Sequence, residues 1–133
     1  MNINNESHSL IMKSLIPHTL IFELQGAGMV FNTYRNAESG DVGYRLPTYE
    51  YVFDWLNKKG ITIIISASRV QDEIKDQRFK YCELCPDYTC GICYKGKLIT
   101  KLYNFTYSEE DYTEIIRMAA RIVKFNNLKH EQR

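Results

Sequence analysis

The sequence has little net charge, few histidines and no motif typical of an enzyme. Its 17 Lys and Arg residues face 16 Asp and Glu residues, which leaves a net charge of +1, so no strong field attracts phosphate backbones or an anionic membrane. The three histidines, His8, His18 and His130, lie far apart along the chain, which favours surface residues over a catalytic set. No elbow glycine pattern surrounds Ser66 or Ser68, and no phosphate-binding loop is present. We therefore expect a protein that is not an enzyme.

Long apolar runs are also missing. Lys13, Pro17, His18 and Glu23 interrupt the apolar residues near the N-terminus, and no basic segment precedes them. This pattern predicts neither a secretion signal nor a membrane span. We expect a cytoplasmic protein, and in that reducing compartment cysteines are free thiols or metal ligands rather than disulfides.

With 133 residues, of which 44% are apolar, the chain can bury a core without a metal or a disulfide. Residues 1–46 are weakly patterned, and we expect them to form an irregular N-terminal arm packed on the domain. Within this arm the sequence predicts a short helix over 9–15, a strand within 18–26 and turns over 32–43.

Residues 47–128 carry clearer patterns and predict an α+β domain, followed by a frayed tail over 129–133. Thr48 and Gly60 are typical start and stop residues of a helix, and Ser108 precedes an amphipathic helix with acids in its first turn. The predicted elements are helices over 48–59 and 108–124 and strands over 61–69, 79–85, 90–95 and 97–105. This order, α-β-β-β(-β)-α, predicts an antiparallel sheet of three to four strands with the helices on one face. The side chains expected in the core are Trp55, Leu56, Ile63, Ile65, Ile115, Ile116, Ala119 and Val123.

The stretch from about residue 46 to residue 123 resembles small uncharacterised proteins encoded in prophages and mobile elements of gut bacteria. In those proteins a Pro-Thr helix start with a Trp-Leu pair runs into a strand, and a Thr-Tyr-Glu-Glu start opens the last helix. The matching residues here are Pro47, Thr48, Trp55, Leu56, Ile61, Thr106, Tyr107, Glu109 and Glu110. The resemblance implies an origin in a phage or mobile element, and it implies no activity and no cysteine site.

The cysteines of the chain all fall within twelve residues, as Cys82-x2-Cys85-x4-Cys90-x2-Cys93. Two CxxC pairs are typical of zinc sites, in which the thiolates bind at about 2.3 Å. The gap between the pairs is short, since ordinary zinc ribbons have about 15–20 residues there. A zinc knuckle of the retroviral type shares the first half of this spacing, but it has histidine in place of Cys90 and a longer last gap.

A β-hairpin with residues 86–89 as its loop is the alternative. It would place Cys85 opposite Cys90 and Cys82 opposite Cys93, and the alternation of side chains would put residues three apart on opposite faces. Binding one zinc ion with all four thiols would require tight turns in place of these strands. We favour thiols without a metal or other cofactor, with zinc as the first alternative and redox pairing as the second.

These features suggest three classes of function. The first is a non-enzymatic accessory factor that binds a host or phage protein through a sheet face or an exposed strand edge. The second is a zinc-stabilised nucleic-acid-binding module, by analogy of element order with double-stranded-RNA-binding domains, whose basic helix start is not matched here. The third is an enzyme. Because the charge is balanced, we expect any nucleic-acid binding to be weak and to vanish at moderate salt.

Overall fold

The computed structural model describes residues 3–65, 88–103, 105 and 107–131. Its helices are α1 (Ile3–Met12), α2 (Ile21–Gly26), α3 (Tyr49–Lys58) and α4 (Glu109–Glu131), with a 3-10 turn over His18–Leu20 before α2. Its strands are β1 (Thr33–Arg35), β2 (Val42–Tyr44), β3 (Ile61–Ile65), β4 (Tyr88–Tyr94) and β5 (Lys97–Tyr103). Helices combined with two antiparallel sheets confirm the predicted α+β class. Across these ranges, no helix has both the length and the apolar composition needed to cross a membrane.

The ends of α3 follow from its local sequence. The Thr48 hydroxyl accepts a hydrogen bond from the backbone N–H of Tyr51 at 3.1 Å, and so satisfies one of the donors that a helix start leaves without a partner. Gly60 follows the last turn with φ +93°, a left-handed conformation that glycine adopts without strain. The predicted helix over 48–59 is therefore confirmed to within one residue at each end.

β4 is the central strand of an antiparallel sheet with the order β3-β4-β5. Ile92 on β4 lies opposite Ile63 on β3 and Thr100 on β5. The antiparallel pairing of 61–65, 88–94 and 97–103 confirms the prediction for these strands. The strand predicted over 79–85 lies outside the described residues.

One buried cluster joins a face of this sheet to α3 and α4. Ile61, Cys90 and Ile92 contribute from the sheet. Of the side chains expected in the core, those confirmed as buried are Leu56, Ile115, Ile116, Ala119 and Val123.

Trp55, Ile63 and Ile65 are only half-buried at the margin of this cluster, so the prediction that they are largely buried is wrong. The Trp55 ring is accessible to a charged side chain, since the ammonium of Lys59 lies 5.4 Å from the ring centroid. Ile63 and Ile65 belong to β3, which pairs on one side only among the described strands.

The N-terminal arm has more regular structure than its sequence predicts. Residues 18–26, expected as a strand, form the 3-10 turn and α2. Leu20 and Leu24 are four residues apart and fully buried, whereas Phe22 between them is 81% exposed. A strand would place these three side chains on one face. The prediction of a strand is therefore wrong, because the apolar spacing is helical.

Two other parts of the arm differ from expectation. α1 occupies Ile3–Met12 instead of 9–15, and β1 and β2 form a hairpin where turns alone were predicted. These segments are therefore more regular than the sequence indicates. Backbone hydrogen bonds of 3.0 Å from Ile16 to Pro47 and from Tyr49 to Ser14 tie the arm to the start of α3.

α4 continues to Glu131, beyond the predicted end at 124. The Asn127 side chain donates a hydrogen bond to the carbonyl of Ala27 at 3.1 Å, and this contact holds the late turns of α4 against the end of α2. Residues 129–131, expected as part of a frayed tail, are helical.

Candidate functional site

Two of the four cysteines, Cys90 and Cys93, lie on β4, and Cys82 and Cys85 lie outside the described residues. From Cys90 to Tyr94 the register of β4 against β3 is continuous, so side chains alternate over these residues, and the β4–β5 register shifts between Ile92 and Cys93. Cys90 belongs to the buried cluster with 0% exposure, and Cys93 is half-buried on the opposite face. This arrangement confirms the expectation for Cys90 and Cys93, which are three residues apart and lie on opposite faces.

The cross-strand neighbours of Cys93 differ from those expected for a hairpin with residues 86–89 as its loop. Across the sheet Cys93 lies opposite Thr62 on β3 and Leu98 on β5. Both hydrogen-bonding edges of β4 are occupied at this residue, so the prediction that Cys93 faces Cys82 is wrong. The reason is the strand order, which places β4 in the centre of the sheet.

The surroundings of Cys90 disfavour its thiolate. Burial raises the pKa of Cys90 to about 12, and the charge of Asp111 adds to the effect. Burial also raises the pKa of Cys93. Zinc binding and thiol redox chemistry both use the thiolate. No group of three or more metal-ligating side chains occurs in the part of the chain that the structure describes, and Cys90 packs as a small apolar core residue.

A buried aromatic cluster surrounds Tyr112 of α4 and includes His8 of α1. Nδ1 of His8 lies 2.6 Å from the hydroxyl oxygen of Tyr112, and the Phe105 ring packs edge-on against Tyr112 at 5.2 Å. Burial lowers the pKa of His8 and raises that of Tyr112. The expectation of a surface histidine is thus wrong for His8, which is half-buried because it anchors α1 to α4.

An open groove of about 380 Å³ lies where the N-terminal arm meets the start of α3. We define the groove by six of its lining residues, Leu15, Met29, Val30, Phe31, Arg45 and Tyr51. Met29 and Phe31 are buried and form its floor, whereas Leu15, Val30 and Tyr51 at its rim are 58%, 87% and 57% exposed. A concave apolar surface that remains open to solvent is typical of binding sites.

Backbone hydrogen bonds fix the walls of the groove. Leu15 forms an isolated β-bridge with Thr48, and the backbone N–H of Met29 donates to the carbonyl of Leu24 at 3.0 Å. On the other side, Arg45 donates its backbone N–H to the carbonyl of Asn32 at 2.8 Å. The concavity is therefore formed without a ligand, which reduces the ordering cost of binding.

The β1–β2 hairpin continues from the groove and exposes most of its surface. The Tyr34 ring lies so close to Gly43 that a Cβ atom there would be 2.9 Å from it. In the loop, the Asn36 side chain accepts hydrogen bonds from the backbone N–H groups of Glu38 and Ser39 at 2.8 and 3.0 Å. These contacts order a short hairpin, although isolated hairpins gain little stability from their own packing.

The described lining of the groove is mainly apolar and contains no Asp, Glu, His or Cys. Arg45 is its single charged residue, and the part of the chain that the structure describes offers its guanidinium no ion pair.

The groove was not predicted from the sequence, because its residues come from three separate segments that only the fold brings together. One signal was present. Leu15 and Val30 are apolar residues within weakly patterned stretches, and Val30 belongs to no predicted helix or strand that would bury it.

No protein-family model matches the chain, and neither a curated protein nor a solved structure matches it. Function is therefore inferred from the geometry of the groove.

Proposed function

We propose that the protein is a non-enzymatic accessory factor that binds another protein, with an apolar segment of that partner held in the groove. The observation that carries the proposal is the exposure of Leu15, Val30 and Tyr51 around a preformed concavity with a buried apolar floor. Covering such a surface removes apolar area from water, which is the main favourable term in protein association. The resemblance to prophage and mobile-element proteins favours a host or phage protein as the partner.

The size of the groove suits a short segment. A volume of about 380 Å³ accommodates two or three apolar side chains. Burying two of them contributes about 3–6 kcal/mol before the costs of association. A Kd of 1 μM requires about 8.2 kcal/mol of net binding free energy, so burial in the groove alone is too small for micromolar binding and the partner must make further contacts.

The neighbouring hairpin offers a second contact. β1 and β2 each pair on one side only among the described strands, and an extended peptide can add to such an edge through main-chain hydrogen bonds. A partner segment that crosses the groove can therefore continue along the hairpin.

The test uses peptides selected from a display library on the wild-type protein and measured by fluorescence anisotropy. Val30→Glu places a carboxylate on the groove rim, and we expect it to raise the Kd about tenfold or more, equivalent to about 1.4 kcal/mol. Phe22→Glu is the matched control, because Phe22 is exposed to a similar degree, 81% against 87% for Val30, and does not line the groove.

Two results would contradict the proposal. One is a set of peptides that bind wild type and Val30→Glu equally well. The other is a loss of binding in Phe22→Glu as large as that in Val30→Glu, since this would indicate adhesion to any exposed apolar residue.

A further inference from the structure

A second cavity lies at the far end of α3, away from the groove. It has a volume of about 340 Å³, and its polar lining consists of Lys58, Lys59, Lys95, Asn126 and Asn127 together with the aromatic Tyr94. Three lysines and two asparagines among the lining residues make the surroundings of this cavity positively charged and rich in hydrogen-bond donors.

The cavity is built from two turns that are fixed against each other. The backbone N–H of Lys95, in the β4–β5 turn, donates to the carbonyl of Gly60, in the α3–β3 turn, at 2.9 Å. A Cβ atom at Gly60 would lie 3.5 Å from Cγ of Lys95 and 3.4 Å from the Tyr94 ring. The stem of Lys95 is therefore held beside the end of α3.

The positive charge of this cavity is only partly compensated. Lys58 forms an exposed ion pair with Asp54 at 3.2 Å. The ammonium groups of Lys59 and Lys95 instead lie 5.4 Å from the ring centroids of Trp55 and Tyr94, and no carboxylate partner for either is found within the described ranges.

Helix electrostatics explain part of this charge. A lysine in the last turn of α3 and one directly after it offset the partial negative charge of the C-terminal carbonyls, so Lys58 and Lys59 would suit a helix of any function. Lys95 lies in the β4–β5 turn, so the dipole of α3 does not account for a lysine at that position.

The backbone of Lys95 has an unusual conformation for a lysine. Lys95 has φ +49° and Gly96 has φ +83°, so both central residues of the hairpin turn are left-handed, as in a type I′ turn. Asn, Asp and Gly dominate at such positions, and a long L-side chain there is strained. Sparsely populated backbone conformations cluster at functional sites, which makes the Lys95 ammonium group the first candidate for a ligand contact.

We propose that this cavity binds the phosphate group of a small anionic ligand. Lys59 and Lys95 supply the charge, and each amide nitrogen of Asn126 and Asn127 has one hydrogen to donate beyond the bond it makes to a backbone carbonyl. Since the chain as a whole is almost neutral, the site suits one phosphate or pyrophosphate group and not a polymer. This site is separate from the groove and does not depend on the function proposed for it.

The experiment is a two-dimensional 1H–15N NMR titration of the full chain with inorganic pyrophosphate and, separately, with ADP, at constant ionic strength. We expect saturable shifts at Gly60, Lys95 and the Asn127 side chain. Lys95→Asn removes the charge with a residue that favours the same turn, and it should raise the Kd about tenfold while the spectrum remains that of a folded protein. Lys129→Gln is the control, because Lys129 lies over Phe125 outside the cavity lining, and it should leave the Kd unchanged.

The two ligands identify the source of the phosphate. Tighter binding of ADP than of pyrophosphate would assign the site to a nucleotide, and equal affinity would assign it to the phosphate group alone. The proposal is overturned if neither ligand gives saturable shifts, or if Lys129→Gln weakens binding as much as Lys95→Asn.

Discussion

Leu24 and Phe22 are two residues apart, and replacing each with alanine tests the helical structure of the arm. Leu24 is fully buried and Phe22 is 81% exposed. Truncation of a buried leucine costs about 2–5 kcal/mol, so we expect Leu24→Ala to lower the free energy of unfolding by about 3 kcal/mol. Phe22→Ala removes an exposed ring and introduces a better helix former, so its effect should stay within about 0.5 kcal/mol.

Urea denaturation provides the assay. The chain has a single tryptophan, Trp55, whose half-buried ring can report unfolding by fluorescence. With a slope of about 1.5–2 kcal/mol per molar urea, the midpoint of Leu24→Ala should fall by about 1.5–2 M. In a strand, residues 22 and 24 would share a face, so equal losses for both variants would refute the helical assignment.

Three further predictions concern titratable groups and metal. Burial raises the pKa of Cys90 from 9.0 to about 12, so the stability that the neutral thiol contributes is present below pH 9.0 and is lost as the pH rises toward 12. The free energy of unfolding of Cys90→Ala should therefore fall less than that of wild type over this pH range. An equal fall in the two proteins would contradict the burial of Cys90. Burial lowers the pKa of His8 below 6.5, so the stability that the neutral imidazole contributes is present above pH 6.5 and is lost as the pH falls below it. In the same urea assay, the midpoint of His8→Gln should fall less in acid than that of wild type. An equal fall in the two proteins would count against the contact with Tyr112. Because Cys90 lies in the buried cluster, EDTA should leave the urea midpoint of the wild-type protein unchanged. A lower midpoint in EDTA, together with zinc in the native mass spectrum, would instead favour a zinc site at Cys82, Cys85, Cys90 and Cys93.

α3 was predictable because its signals are local. The Thr48 cap and the glycine at position 60 act within one turn of the residues they affect, and amphipathic spacing identifies the buried face. The apolar stripe of α4 was predictable for the same reason, and Ile115, Ile116 and Ala119 are all fully buried.

α2 was harder to predict, since it is only six residues long and is rich in residues that suit a strand equally well. The i,i+4 spacing of the buried Leu20 and Leu24 is helical, but so short an element shows only one such pair, and it is recognised as a helix only once its packing in the core is known. The exposed ion pair between Glu23 and Arg121 at 3.0 Å adds little to this packing.

The order of the strands in the sheet could not be predicted from local sequence patterns either. A period of two was enough to predict that Cys90 and Cys93 point to opposite faces. It could not predict that β4 lies between β3 and β5, because pairing partners are set by contacts distant in sequence. The groove and the lysine cavity depend on such contacts as well, so their residues could not be grouped from the sequence.

The sharpest test of partner binding in the groove is photo-crosslinking with a diazirine-bearing residue placed at position 30 in one protein and at position 22 in another. Val30 and Phe22 are both more than four-fifths exposed, so each replacement should be tolerated. With the peptides selected on the wild-type protein, we expect cross-links from position 30 that mass spectrometry assigns to apolar residues of the peptide, and almost none from position 22. Equal yields from the two positions, or cross-links from position 22 alone, would contradict binding in the groove.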